Sequence, residues 1–502
     1  MDYSQFLNMR EELSLLLVIL LIFIVDLFVS GEKSRACCLE GCEAEAGGKS
    51  CTRMVWLTRV PIILMIAHTI LGMCPGEISV GATWEYSFGK MYQHTEMMVF
   101  MKSILNIGAV LVMLMAYPNL YKAENRIKAG EFYSLTLFTL LGMYFMISAG
   151  HFLMFFIGLE LASIPMAALI AFKKKDERSG EAGAKFILLA LFSSALLLYG
   201  ISLIYGQAGT LYFDEMAIYL HRPNFISILG LVLVITGLGF KISMVPFHLW
   251  TADTYEGAPT PVTAFLSVLS KGAAAFTLMV ILVKIFSSGP FIEYWNVSMQ
   301  VLIVLSITVA NLFAIRQNNL KRFMAFSAIS QAGYLVLGLL GGTAQGMESM
   351  VYYLAIYTFA NLGAFAIINE LELASGKVCI SDYNGLYSTN PRMAFCMTIC
   401  LFSLAGIPPF AGFFSKFFIF MAAFKAGYVW TVFIALVNTV ISLYYYLLIV
   451  KAMYIKSNPS PIAKVYPSLP GVTAIILCVV ATILFGVFSA PFNFLGFYGF
   501  GM

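Results

Sequence analysis

The sequence predicts an all-α integral membrane protein of about fourteen transmembrane helices. Composition gives the first reason: of 502 residues, 60% are hydrophobic and 11% charged, whereas a soluble globular domain carries about 25% charged residues. Second, apolar runs of about 20 residues, the length that crosses a bilayer as a helix, recur along the whole chain. Third, no polar block is long enough to fold as a separate soluble body. The chain therefore reads as one polytopic membrane domain rather than a globular protein on an anchor.

The first run, residues 13–30, follows polar residues 1–12. The loop behind it shows no small-residue cleavage site, so the run reads as a retained helix rather than a removed signal. Runs near 55–74 and 97–117 complete an N-terminal three-helix region, 1–131. Next come runs near 132–149, 152–171, 184–206, 226–253 and 258–283. A second set lies near 298–316, 323–341, 347–370, 393–425 and 428–453. The segment 454–502 adds a C-terminal helix near 471–489. Two runs are long and contain prolines: 226–253 has Pro246, and 393–425 has Pro408 and Pro409. Proline removes a backbone donor and breaks the helix. In a bilayer the freed carbonyls need protein or water partners, which places both breaks inside the bundle or beside a wet cavity. The broken runs are the seventh and twelfth, five apart. An odd offset reverses orientation, so 132–283 and 298–453 are expected to be inverted five-helix repeats, each with one broken helix at its ion site.

The cysteines give no framework. Cys37, Cys38, Cys42 and Cys51 cluster in one loop at a spacing that suits neither a zinc site nor an iron–sulfur run. A disulfide, an adventitious metal site or a tolerated insertion all fit. The remaining five lie in or near apolar segments and read as small hydrophobes.

Lysine and arginine set the orientation. With an external N-terminus, the loops on the cytoplasmic side outnumber the others in basic residues by roughly four to one. Both termini are then external. Six basic residues lie outside the loops: Arg59, Lys102, Lys185, Lys241, Lys271 and Lys416. Arg59 and Lys102 sit near span ends, where a long side chain can snorkel. Lys185 begins a helix, a position that suits a snorkelling cation and a functional one equally. Lys241, Lys271 and Lys416 are deep in apolar stretches, where each charge costs roughly 2.5–3.5 kcal/mol on insertion scales. Among acids, Glu160 is far from any loop. Asp26 lies near the end of its helix and is expected to be solvated at the boundary.

A lysine in apolar surroundings gives up its proton more readily, and a nearby carboxylate restores its hold. One carboxylate among several buried lysines is therefore the material of a proton switch. The plain alternative is a fixed ion pair that locks helices together.

The broken helices carry matching residues: Gly239-Phe240-Lys241 with Ser243, Pro246 and His248, and Gly406 through Pro408-Pro409 to Ser415-Lys416. The stretch Val245-Pro246-Phe247-His248-Leu249-Trp250-Thr251-Ala252-Asp253-Thr254-Tyr255-Glu256-Gly257-Ala258-Pro259-Thr260-Pro261-Val262, continuing to Leu269-Ser270-Lys271, resembles the signature of the antiporter-like subunits of NADH:quinone oxidoreductase. The similarity is nearest to the N-type subunit. Ile157 through Leu161, Lys321 through Tyr334 and Gly406 through Lys416 agree with it, so the resemblance spans roughly residues 95–455. It implies proton translocation coupled to electron transfer from NADH to quinone in other subunits. By position, Glu160 corresponds to a fifth-helix glutamate facing a neighbouring subunit, Lys185 to a sixth-helix lysine, and Lys241, Lys271 and Lys416 to the lysines of the seventh, eighth and twelfth helices. His248 either lines the hydrated path or bonds backbone freed at the break. Lysine at 416 argues against an M-type subunit, and the short tail against an L-type one. The resemblance also implies the bacterial inner membrane, with M-type and K-type subunits, lipid, protons and internal water as partners. FMN, iron–sulfur clusters and quinone are expected in other subunits, and no nucleic acid. The sequence shows no dinucleotide-binding glycine pattern, phosphate-binding loop or iron–sulfur run, so no cofactor is expected in this chain. The rival reading is a subunit of a secondary cation/proton antiporter on the same scaffold.

Overall fold

The computed structural model describes residue 6 and residues 8–29, 48–73, 85–122, 128–220, 222–287, 289–458 and 461–488. Cys37, Cys38, Cys42 and Cys74 lie outside them, and only the backbone of Cys51 is described. No role for the cysteine loop is therefore in view.

Helices α1 (Arg10–Val29) and α2 (Gly48–Met73) are followed by a hairpin, β1 (Glu85–Ser87) and β2 (Tyr92–His94), antiparallel with Glu85 opposite His94. Helix α3 (Glu96–Tyr121) starts at Thr95, whose side chain accepts from the Met98 amide and satisfies one of the free first-turn donors. Then come α4 (Ala129–Ile147), α5 (Phe152–Ile170), α6 (Glu177–Ala208), the short α7 (Phe213–Tyr219) and α8 (Phe225–Ile242). After a break the chain resumes as α9 (Leu249–Gly257), α10 (Thr260–Phe265), a π-helical turn at Leu266–Ser270, and α11 (Lys271–Ile285). The remainder is α12 (Gly289–Ile315), α13 (Leu320–Leu337), α14 (Ala344–Ser375), a 3-10 turn (Ile380–Tyr383), α15 (Leu386–Thr389), α16 (Pro391–Ala405), α17 (Ala411–Lys425), α18 (Val429–Tyr454) and α19 (Leu469–Val487).

Each of the fourteen expected runs coincides with a helix, or with two or three consecutive helical segments, of this chain. Among the described residues, eleven of them are long and apolar enough to cross a membrane by length and composition. Helices α1 and α13 and the pair α16/α17 are not among the eleven; all three carry charges or a break within the run. The protein is a multi-pass membrane protein.

Chain neighbours pack as hairpins, α4 on α5 and α12 on α13, and α6 lies along α8. Gly142 and Gly158 show why α4 and α5 approach so closely: a Cβ at Gly158 would stand 2.7 Å from the Met146 amide nitrogen. Small residues at such contacts let two backbones meet in a bilayer, where packing replaces the hydrophobic drive. Two elements form the centre. In the most apolar stretch of Thr260–Ile285, 94% of residues are buried, and in that of Ala344–Ser375, 89%; the corresponding figure for α6 is 33%. Helix α19 packs against α14 and α3, tying the C-terminal helix to the N-terminal region.

Both breaks fall where the prolines put them. Helix α8 ends at Ser243, which is left-handed (φ 67), and its freed carbonyls are met locally: Phe240 O accepts from Ser243 N at 2.9 Å and from Trp250 Nε1 at 3.1 Å. The Val245 amide donates to Ser306 Oγ of α12 at 2.9 Å. Helix α16 ends at Gly406 (φ +86), a backbone shape that favours glycine. The Val245–Pro246 and Pro408–Pro409 peptide bonds are cis. The eighth run departs from expectation. One run near 258–283 is expected, but the ladder widens to a π turn just before Lys271. Nothing in Leu266–Ser270 announces this, because no proline or glycine is present there.

Candidate functional site

Lys241, Lys271 and Lys416 are each buried, with 6%, 2% and 4% of their surface exposed. None of the three ammonium groups is within ion-pair distance of a carboxylate among the described residues, so each is held by dipoles or by nothing from the protein.

Lys241 sits in the last turn of α8. Its Nζ donates to Ser163 Oγ of α5, and Ser163 in turn donates to Leu159 O at 2.6 Å. Glu160 is one residue before the turn that carries Ser163. Its Oε1 is buried and has no hydrogen-bond partner among the described residues. The carboxylate is near enough to act on Lys241 electrostatically, yet the direct pair anticipated from sequence is not made: Ser163 occupies the ammonium. A cavity lined by Ser163, Ser193, Ser194, Gly237, Phe240 and Lys241 offers about 10 Å³ to the centre of a water-sized sphere, about what one water needs.

Lys271 is the first residue after the π turn. Its Nζ has no hydrogen-bond partner among the described residues and lies 5.4 Å from the centre of the Tyr255 ring, a cation–π contact. The π turn is held open from α14: Asn361 Nδ2 donates to Ser267 Oγ at 2.7 Å and Tyr357 OH to Ser267 O at 3.4 Å. Around this point other buried polar atoms also lack partners among the described residues: Ser243 Oγ, His248 Nδ1, Thr251 Oγ1, Thr254 Oγ1, Tyr255 OH and Asn361 Oδ1. They belong to the first break, to α9, whose Tyr255 ring faces Lys271, and to α14, which packs on the π turn. Buried polar atoms are bonded in the great majority of cases, to protein or to water, so this group marks a place for water.

Lys416 lies just past the second break. Its Nζ donates to Leu404 O at 2.8 Å and Ala405 O at 3.2 Å, the free carbonyls at the end of α16, where the helix dipole favours a cation. It also lies 5.0 Å from the Tyr334 ring centre. Gln331 shares Leu404 O (3.0 Å) and is itself bonded by Tyr446 and Tyr353. A second cavity of about 10 Å³ is bordered by Gln331, Tyr353, Ser403, Ser415 and Lys416. Each broken helix thus sets a lysine beside a water-sized space. The two are not strict equivalents, since Lys241 precedes its break and Lys416 follows its own.

Residues 149–442 match the family model for the membrane domain of NADH:quinone oxidoreductase and Mrp antiporter subunits. The chain is 53% identical over 496 residues to the NADH-quinone oxidoreductase subunit N of Phocaeicola vulgatus, covering 99% of both chains. It belongs to the subunit N family. A chain of respiratory complex I from Thermus thermophilus superposes with TM-score 0.74 at 26% identity, over 95% of this chain and 98% of that one. A chain of the Mrp complex from Dietzia sp. DQ12-45-1b superposes with TM-score 0.79 over 99% and 97% at 19% identity, which is likeness of fold alone.

In this member of the subunit N family, Lys185 and His248 occupy different settings from the three deep lysines. Lys185 is 43% exposed and pairs with Glu181 Oε1 (2.7 Å) and Asp253 Oδ2 (2.8 Å). Asp253 also accepts from Arg322, which bonds Glu256 (2.8 and 2.9 Å). Nearby, Lys321 pairs with Glu372 at 3.0 Å. These ion pairs join α6 to α9 and α9 to α13, and a separate pair joins α13 to α14. His248 is half-buried at the start of α9, within electrostatic reach of Lys271. Sequence reasoning passed over Ser163, although it follows Glu160 at the i+3 spacing that shares a helix face, and the Gln331–Tyr353–Tyr446 network, which no motif marks. It also misplaced Lys102. That side chain does not snorkel but is fully buried, bonded to Glu12 at 2.6 Å. Arg59 is exposed, bonding Tyr117 OH at 3.3 Å, and Asp26 is half-buried against Gly130. Among the described residues no three His, Cys, Asp or Glu side chains are grouped to hold a metal ion.

Proposed function

We propose that this chain is a proton-translocating membrane subunit of an NADH:quinone oxidoreductase, sited in the bacterial inner membrane with both termini external. Electrons pass from NADH to quinone in other subunits, which hold FMN, the iron–sulfur clusters and quinone. Neighbouring membrane subunits of M and K type contact this one. Residues 132–283 and 298–453 act as inverted repeats, flanked by the 1–131 and 454–502 regions.

Protons enter from the cytoplasmic side near the Lys185–Asp253–Arg322 ion pairs and reach Lys241 and Lys271 through water. Glu160 supplies the countercharge for Lys241. When the neighbouring subunit draws that countercharge away, the Lys241 proton passes towards Lys271, with His248 beside the path. Lys416 hands it to the outer side. The observation that carries this reading is Lys271: a lysine 2% exposed, whose ammonium has no hydrogen bond among the described residues, amid a group of orphaned polar atoms. A lysine kept only to lock helices would be paired.

The test is Lys271→Ala in the assembled complex, reconstituted into vesicles. NADH-driven proton uptake should be lost while the complex still assembles. Proton uptake per NADH equal to that of the unaltered complex would remove the assignment.

A further inference from the structure

A second buried ionic cluster lies among the N-terminal helices, apart from Glu160, Lys241, Lys271 and Lys416. The Lys102 ammonium of α3 is fully buried. It lies 2.6 Å from Glu12 Oε1 and 3.4 Å from Glu11 Oε2, both on α1 and 2% and 3% exposed. Tyr92 OH of β2 bonds Glu12 Oε2 at 3.0 Å and accepts from Lys102 at 3.1 Å. Lys102 also stands 5.4 Å from the ring centres of Tyr92 and Tyr144. The Tyr144 hydroxyl bonds Asn106 of α3 and, at 3.3 Å, His68 Nε2 of α2. His68 Nδ1 bonds Ser14 Oγ at 2.9 Å, and Ser14 donates to Glu11 O at 3.1 Å.

The charges do not balance. Two buried carboxylates face one ammonium, and an unpaired buried carboxylate is strongly disfavoured. No other described group pairs with either carboxylate, and Arg10 acts on Glu11 only from a distance. Arg10 forms no ion pair with either carboxylate, being absent from every salt bridge among the described residues. His94 of β2, outside the spanning segments, is pushed down to about 4 by burial and by the charges of Lys102 and Arg10, and so is neutral. His68 bonds two hydroxyls, and a neutral ring satisfies both when Ser14 turns its proton from Glu11 O to Nδ1 while Nε2 donates to Tyr144. A metal cation would have to share the space between the carboxylates with Lys102. The carboxylates themselves are unequal: Glu12 is bonded by Lys102 and Tyr92, whereas Glu11 Oε2 has no hydrogen-bond partner among the described residues.

We propose that Glu11 carries a proton, and that Glu11, Glu12 and Lys102 form a proton-binding site distinct from the central lysines. One face of the site opens along Tyr92 towards the hairpin, where the buried Ser148 Oγ faces the Tyr92 hydroxyl. The other runs inward through Ser14, His68, Tyr144 and Asn106.

The test is difference infrared spectroscopy of the assembled complex, read at the carboxylic-acid C=O stretch. Glu11→Gln should assemble as the unaltered protein does, because an uncharged amide replaces an uncharged acid of the same shape, and one acid band should disappear. Glu12→Gln should lose the same band, because Glu11 gives up its proton to become the counter-ion of Lys102. Lys102→Met should gain one acid band. An unchanged spectrum in Glu11→Gln overturns the proposal, as does an imidazolium signal lost in His68→Gln in place of the acid band. An acid band that appears only when sodium is withdrawn assigns the site to a metal cation instead. Failure of Glu11→Gln to assemble where Glu12→Gln assembles also overturns it, since the neutral amide must then be the harsher change.

Discussion

The ammonium of Lys416 lies 2.8 Å from the carbonyl of Leu404, twelve residues earlier and across the break in its own helix. The cation thus rests on the negative end of α16 rather than on a carboxylate. Its partners are fixed backbone dipoles, and the space beside it holds about one water. Lys416→Met should therefore assemble but lose at least about tenfold in proton uptake, a change of ~1.4 kcal/mol or more in the limiting step. Lys416→Arg should fail to restore it, because the planar guanidinium does not fit where a compact ammonium does. Vesicle uptake normalised to NADH oxidised checks both.

Ser163 is the hydroxyl that holds Lys241 away from Glu160. Ser163→Ala removes a hydrogen bond to an ammonium, a contribution of about 1.5–3 kcal/mol. Lys241 then keeps only the electrostatic influence of Glu160 and the serines Ser193 and Ser194 across the small cavity. Proton uptake should slow roughly tenfold, with assembly unchanged. Ser163→Thr keeps the hydroxyl and should retain most activity. Equal uptake in the alanine and threonine variants would show that the contact is incidental.

The π turn before Lys271 depends on α14. Asn361→Leu removes the donor to Ser267 Oγ and allows an ordinary helical ladder to close, which turns Lys271 to a different face. Proton uptake should fall severalfold. Thr358→Val is the control, because among the described residues the Thr358 hydroxyl donates to Leu354 O of its own helix, at 2.7 Å. A similar loss in both variants would mean that α14 responds to any change and that the π turn has no special part.

Acid should loosen the hairpin beside the N-terminal helices. His94 is held down to about 4 by burial and by Lys102 and Arg10, and His151 is lowered by burial against the opposing pull of Glu215. An unfolded histidine titrates near 6.5, so between about pH 6.5 and 4 the unfolded chain binds more protons than the folded one. Stability from His94 is complete above pH 6.5 and declines as pH falls, by roughly 1 kcal/mol per unit. Thermal melting of the complex should show a steeper acid loss in the unaltered protein than in His94→Asn. Parallel curves would mean that His94 titrates normally.

Most of the fold was legible because bilayer spans are long and apolar, and because Pro246 and Pro408-Pro409 break helices wherever they stand. Positions in the sequence identified the three deep lysines, since an ammonium in an apolar run has few innocent explanations. Partners were less legible. Lys102 looked like a span-end cation because it follows Glu96 by under two turns, but the hairpin and α1 fold over that end and close it off. The acids that pair with it, Glu11 and Glu12, lie in the polar stretch ahead of the first apolar run, where nothing in the sequence singles them out. Ser163 and Gln331 are common residues in helices; only the approach of Lys241 from α8 and of the α16 end from the second break gives them their work. The π turn depends on tertiary bonds from Asn361 and Tyr357, which no local pattern records.

Helix α14 has almost no face turned outward, and it carries Tyr353, Tyr357, Asn361, Asn369 and Glu370 along its buried length. Asn369 reaches α3 at Met115 O (2.9 Å), and Glu370 is bonded by Ser468 just ahead of α19. During synthesis these groups meet hydrocarbon before α16–α19 exist to cover them. Helix α14 must then wait, loosely lodged, for the last part of the chain to emerge. A ribosome that stops short of residue 468 leaves the heart of the subunit unfinished, however complete the earlier helices are.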